Sequence, residues 1–245
     1  MNNIDFNAIL NDGITIYSSG STGEAKPYFQ SPQKIKAANT VAREVLGVSA
    51  TSNIYTCTRL THAGGLFVQT LPGFEVGANI CINAFSPYEF VKKIPYYDQS
   101  FVTPKHAKAI MLTKGFRELD LTGTTILIGS EPVTWDIIEG FVSRGCKLVA
   151  DWGMSEIGPV AINYTFESMD QVEYVKSLCP VGATVLGDKF YCDYKIVDGE
   201  LVVAGDICIY DDWYHTKDTV IDVDGILFYT GRTNKEVDFD NPLKG

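Results

Sequence analysis

A Ser/Gly-rich run with one lysine, Tyr17-Ser18-Ser19-Gly20-Ser21-Thr22-Gly23-Glu24-Ala25-Lys26-Pro27, is the segment best suited to hold an anion. Glycines let backbone N–H groups come close to an oxyanion, the Ser and Thr hydroxyls add donors, and Lys26 adds a positive point charge. No Gly-Lys-Ser/Thr follows, so the run is not a P-loop. Taken alone, it reads equally well as a flexible connection. The cysteines offer no competing chemistry. Six are present and no two stand in Cys-x-x-Cys spacing, so they read as buried free thiols in a reducing, cytoplasmic compartment.

The elements that must position such a loop can be traced from local signals. Ile14 to Ser18 reads as a strand leading into it. Ser31-Pro32 opens a helix to about Leu46, with Ser as N-cap, Pro in the first turn and Gly47 as the stop. Strand-like runs follow at Asn53 to Thr58, Ala78 to Asn83, Ser100 to Thr103, Thr124 to Gly129 and Lys147 to Ala150. Helices between them open at Ser86-Pro87 and Pro104, and another spans Thr134 to Ser143. Alternation of apolar strands with helices predicts an α/β fold with a mostly parallel, helix-covered sheet over residues 1–165. Residues 166–245 change character and read as a small β-barrel or sheet. Its expected strands are Phe190 to Val197, Glu200 to Ala204 and Ile226 to Thr230, with hairpin turns at Asp198-Gly199 and Asp224-Gly225.

With 245 residues, 45% of them hydrophobic, the chain can bury one sizeable core or two small ones. A net charge of −10 argues against nucleic acid and anionic membranes as partners. The first residues have no basic stretch followed by an apolar run, so no signal peptide is read. No apolar run approaches the roughly 20 residues of a membrane span.

Four further motifs follow the loop in order. They are Thr61-His62-Ala63-Gly64-Gly65-Leu66, Gly129-Ser130-Glu131-Pro132, Trp152-Gly153-Met154-Ser155-Glu156, and Thr216-Lys217-Asp218 with Thr230-Gly231-Arg232. Together with the loop they resemble the signature motifs of the adenylate-forming superfamily: acyl-CoA synthetases, peptide-synthetase adenylation domains and luciferases. The resemblance implies ATP or AMP as ligand and a small carboxylic acid as substrate. The implied reaction gives an acyl-adenylate and pyrophosphate, and a non-catalytic nucleotide or acyl-adenylate binder is the alternative. It implies phosphate contacts from Ser18, Ser19, Gly20, Ser21, Thr22, Gly23 and Lys26. Gly129, Ser130, Glu131 and Pro132 would form a turn beside the adenine, and Asp151, Trp152, Gly153 and Met154 would complete the nucleotide site. Trp152 offers a flat face for the base. Ser155 would donate to a phosphate, and Glu156 would hold Mg²⁺. Asp218 and Arg232 would bind the ribose, and His62 would gate the acid pocket. Lys26, His62, Ser155 and Glu156 are the implied catalytic set. Lys217 stands where the family has Gly, which puts the local turn in question.

The chain also departs from the family in extent. Members carry a long segment before the phosphate loop and a mobile C-terminal lid domain with a lysine after the Gly-Arg hinge. Neither Lys235 nor Lys244 sits in such a motif. Loss of one preorganised charge costs about 10²–10³ in kcat, so a slow or partner-dependent enzyme is expected, and the absent domain counts against transfer to CoA. The absent N-terminal segment is expected to leave an apolar face open. That predicts a homo-oligomer or a complex with a chain supplying the missing domain.

Overall fold

Ser31 accepts a hydrogen bond from the Lys34 amide at 3.4 Å, and Pro32 follows it with its φ already set for a helix. The helix stops at Gly47 in the left-handed conformation, φ 66°. Ser86 and Thr103, each before a proline, cap the next two long helices in the same way. The computed structural model describes residues 4–17 and 26–233.

In chain order the elements begin with α1 (Phe6–Asp12), β1 (Ile14–Tyr17), β2 (Pro27–Gln30), α2 (Pro32–Leu46) and β3 (Asn53–Thr56). A bent helical segment follows, made of α3 (Ala63–Gly65), a wider π-helical turn over Leu66–Thr70, and α4 (Leu71–Val76). Next come β4 (Asn79–Ile82), α5 (Pro87–Lys93), β5 (Gln99–Val102), α6 (Pro104–Met111), β6 (Thr125–Ile128), α7 (Trp135–Val142), β7 (Lys147–Met154), β8 (Gly158–Phe166) and α8 (Met169–Leu178). The rest is strand: β9 (Thr184–Gly187), β10 (Lys189–Phe190), β11 (Asp193–Val197), β12 (Glu200–Ala204), β13 (Tyr214–Val223) and β14 (Ile226–Arg232).

Seven strands form the central sheet in the order β10-β8-β7-β6-β5-β3-β4. The strands from β4 to β7 run parallel, and β8 and β10 close one side antiparallel. Alternate residues of the parallel strands enter two different cores, as the two-residue period of a strand requires. Tyr55, Val102, Ile126, Ile128, Leu148 and Ala150 meet Phe90 of α5, Ile110 of α6, Phe141 of α7 and Val172 of α8. Ile54, Phe101, Leu127 and Val149 meet Ala42 and Leu46 of α2 and Val68 of the π turn.

The apolar face expected to lie open is therefore covered, because α2 and the segment around Val68 form the second layer themselves. The second sheet has five antiparallel strands, β11-β12-β13-β14-β9. Both predicted hairpin turns are present, with positive φ at Asp198, Gly199, Asp224 and Gly225. The strand expected over 190–197 is two strands. Phe190 pairs with Ile162 of the central sheet, whereas Asp193 onward pairs with β12. No helix among the described residues is long and apolar enough to cross a membrane.

Candidate active site

A cleft of about 1300 Å³ opens at the carboxyl ends of β5, β6 and β7, facing β9, β13 and the end of β14. This is where ligands enter open α/β sheets. Of the residues expected from the sequence, Lys26, His62, Ser130, Glu131, Pro132, Asp151, Trp152, Gly153, Met154, Ser155, Glu156, Asp218 and Arg232 all line it. Ser18, Ser19, Gly20, Ser21, Thr22 and Gly23 lie outside the described residues. They connect β1 to β2, an antiparallel pair in which Tyr17 faces Pro27. Gln30 of β2 donates to the Ser155 carbonyl at 2.8 Å, which ties that hairpin to the end of β7.

Gly129 is an exception to the expected nucleotide contacts, since it does not line the cleft. A Cβ there would lie 2.8 Å from the Asp151 carbonyl oxygen, so glycine serves close packing of β6 on β7. Its neighbour Ser130 carries the strain of the turn at φ 76°. Lys217, whose substitution for glycine put its turn in question, adopts the left-handed conformation at φ 65°. Glu200 steadies that turn. One oxygen accepts from the Lys217 amide at 2.8 Å and the other lies 3.2 Å from His215 Nδ1. Glu131 reaches outward to Lys105 at 2.7 Å, an exposed ion pair worth little to stability.

Trp152, Asp218 and Arg232 form a connected group. The Trp152 indole N–H donates to Asp218 Oδ2 at 2.9 Å, and Arg232 Nε lies 3.7 Å from Oδ1. Arg232 also donates to the Thr216 carbonyl at 3.3 Å. Burial raises the Asp218 pKa, while the indole hydrogen bond and the guanidinium oppose the rise. Glu156 is buried and lines the cleft beside Tyr28. Burial, then the neighbouring Glu156 carboxylate, pushes the tyrosine pKa up. Among the described residues no cluster of three His, Cys, Asp or Glu side chains could hold a metal. Glu156 brings to the cleft a carboxylate, the kind of hard oxygen ligand that Mg²⁺ takes.

Arg59, His62, Lys105 and His106 also line the cleft, in a chain of net charge −10, and of these only His62 was read from the sequence. His106 stacks on Phe85 with ring centroids 3.8 Å apart, and its Nδ1 is buried without a partner. Burial, then the nearby Arg59 charge, lowers its pKa and favours the neutral ring. His62 precedes α3 and its carbonyl accepts from Leu66. Gly65 permits this arrangement, since a Cβ there would lie 2.1 Å from the Arg59 carbonyl oxygen. The Pro104 helix signal places His106 one turn into α6, but only the fold brings it opposite Arg59.

A cleft of this size at the strand ends of an open α/β sheet has room for a nucleotide and a small second ligand. The family model for AMP-binding enzymes matches residues 14–213, and the chain belongs to that family. Feruloyl-CoA synthases from Amycolatopsis sp. and Streptomyces sp. are each 22% identical over 251 residues, covering 89% of this chain and 49% of theirs. The chain thus spans about half the length of the curated relatives it matches. ATP-bound MatB from Rhodopseudomonas palustris superposes with a TM-score of 0.73 at 17% identity, over 89% of this chain and 47% of that one. The N-terminal domain of FACL13 from Mycobacterium tuberculosis gives 0.75 at 17% identity, over 91% and 61%. At these identities the structural likeness speaks for the fold, which is that of the N-terminal part of adenylate-forming enzymes.

Proposed function

We propose that this chain activates a carboxylic acid with ATP, forming an acyl-adenylate and releasing pyrophosphate. The observation that carries the reading is the convergence of Trp152, Glu156, Asp218 and Arg232 with Arg59, His62 and His106 on one cleft. A carboxylate oxygen attacks the α-phosphorus, a new P–O bond forms, and the bond to the pyrophosphate oxygen breaks. Little covalent work falls to the protein, so holding the two anions together against their repulsion is the main task. Lys26 and the loop before it would draw the phosphates to one end of the cleft. Trp152 presents its ring to the base. Asp218, held by Trp152 and Arg232, keeps free lone pairs for ribose hydroxyls. Mg²⁺ bound at Glu156 would supply neutralisation of phosphate charge.

The test is pyrophosphate release from ATP and Mg²⁺ across aryl, short-chain and long-chain acids, with Glu156→Gln as control. Acid-dependent release that the substitution reduces by about 10²–10³ supports the reading. No release with ATP binding intact would instead favour a nucleotide-binding module. The acceptor of the acyl group, CoA or another thiol, is assayed in the same mixtures by adding it last.

A further inference from the structure

The second sheet brings three charged residues to the cleft, Lys217 and Asp218 of β13 and Arg232 of β14. Arg232 is already committed, with Nε 3.7 Å from Asp218 Oδ1 and a terminal nitrogen donating to the Thr216 carbonyl at 3.3 Å. Lys217 is half-buried, and its ammonium has no ion-pair or hydrogen-bond partner among the described residues. Its backbone is held in the left-handed conformation, φ 65°, which costs a residue with a side chain more than the glycine that the family has there. The main chain is fixed from both sides. Glu200 accepts from the Lys217 amide at 2.8 Å, and the Thr233 amide donates to the Lys217 carbonyl at 2.7 Å. With both main-chain polar groups engaged, the side chain is what Lys217 has to offer a ligand. A strained residue that its surroundings hold in place beside a cleft is the kind of outlier from which a binding role is argued.

We propose that Lys217 is a phosphate-binding residue of the nucleotide site, its ammonium contacting the 5′-phosphate of AMP, which is the α-phosphate of ATP. This rests on the nucleotide half of the reading above and does not need acid activation. Asp218 and the nearby Glu156 are buried carboxylates, and their charges repel a phosphate. A cation beside them offsets that repulsion, and Lys217 is the one that the second sheet leaves uncommitted. The 5′-phosphate hangs from the same ribose that Asp218 would hold. The Lys217 stem starts about 3.8 Å along the chain from Asp218. Four flexible carbons then carry a compact point charge to the anion, without the fixed fork of an arginine.

The experiment titrates the full chain with AMP and with adenosine by calorimetry, in the absence of Mg²⁺. Adenosine keeps the base and the ribose, so the ratio of the two affinities isolates what holds the phosphate. Lys217→Gly and Lys217→Asn both remove the ammonium while placing at this position a residue type that tolerates left-handed backbone. Each is expected to lower the AMP-to-adenosine ratio at least about tenfold, the loss of a hydrogen bond to a charged group. Adenosine affinity should stay unchanged, and Lys217→Arg should keep most of the AMP preference. Added salt should weaken AMP binding more in the unsubstituted chain than in the two neutral variants. A ratio unchanged in both neutral variants overturns the assignment and leaves the nucleotide site standing. A loss confined to Lys217→Gly does the same, since it would reflect a loosened turn rather than a missing charge. Equal binding of AMP and adenosine by the unsubstituted chain also overturns it, and no binding of either ligand overturns the nucleotide reading as well.

Discussion

Replacing Trp152 by Phe keeps a flat ring at the cleft but removes the indole N–H that Asp218 Oδ2 accepts at 2.9 Å. Asp218 is 6% exposed, so water does not readily replace that donor. Leaving a buried acceptor unpaired costs about 1–3 kcal/mol, toward the upper end for a charged one. At about 2–4 °C per kcal/mol for a chain of this size, Tm should fall by roughly 2–12 °C. The lost bond also opposed the rise in the Asp218 pKa, so the deficit should be larger at about pH 8 than at about pH 5. Lost ring volume contributes as well, and a double-mutant cycle with Asp218→Asn separates the two. The cycle should give a coupling of about 1.5–3 kcal/mol, the range for a hydrogen bond to a charged group. A coupling below about 0.5 kcal/mol, or a deficit independent of pH, would refute the argument that this bond holds Asp218 in place.

Three further outcomes are expected. Ser130→Gly should stabilise by roughly 0.5–1 kcal/mol in chemical denaturation, because relief of about 1–2 kcal/mol of left-handed strain outweighs the added freedom of the unfolded chain. Gly65→Ala should cost about 1–3 kcal/mol and weaken acid binding, because its Cβ must displace the Arg59 backbone, and melting curves with and without acid read both effects. Asp151 and Asp218 both have folded pKa values raised above the unfolded range by burial. The folded state therefore binds more protons than the unfolded one above about pH 4, and the stability present below that pH is lost as pH rises through the folded values. Asp151→Asn should flatten the fall in Tm between about pH 5 and about pH 8, and an unchanged slope would contradict the burial argument.

Much of the α/β unit is legible in the chain because its signals are local. Ser31-Pro32, Ser86-Pro87 and Thr103-Pro104 mark helix starts, and short apolar runs mark strands that are buried on both faces. Helix α8 escapes that reading, since only Val172 and Val175 of its residues are buried and its remaining face is polar. Phe190 and Asp193 look like one strand because nothing local tells that Tyr191 and Cys192 carry the chain from one sheet to the other. The resemblance of its motifs to those of the adenylate-forming superfamily assigns Trp152, Glu156, Asp218 and Arg232 to one site, and all four line the cleft. Arg59 and His106 were not anticipated, because a loop and a helix start far apart in sequence meet only across the sheet ends. Ser130 and Lys217 both hold left-handed positions that would be cheaper for glycine; the family's Gly pointed to this at Lys217, and backbone geometry reveals it at Ser130.

The central claim concerns which phosphorus of ATP is attacked, and rapid quenching followed by mass spectrometry answers it most directly. Full chain, ATP, Mg²⁺ and an acid from the aryl, short-chain and long-chain panel that supports pyrophosphate release are mixed and stopped within one turnover. The account predicts a species with the mass of the acid joined to AMP, matched one for one by pyrophosphate, and its loss in Glu156→Gln. ADP with orthophosphate, or ATP left intact beside a bound acid, would contradict it.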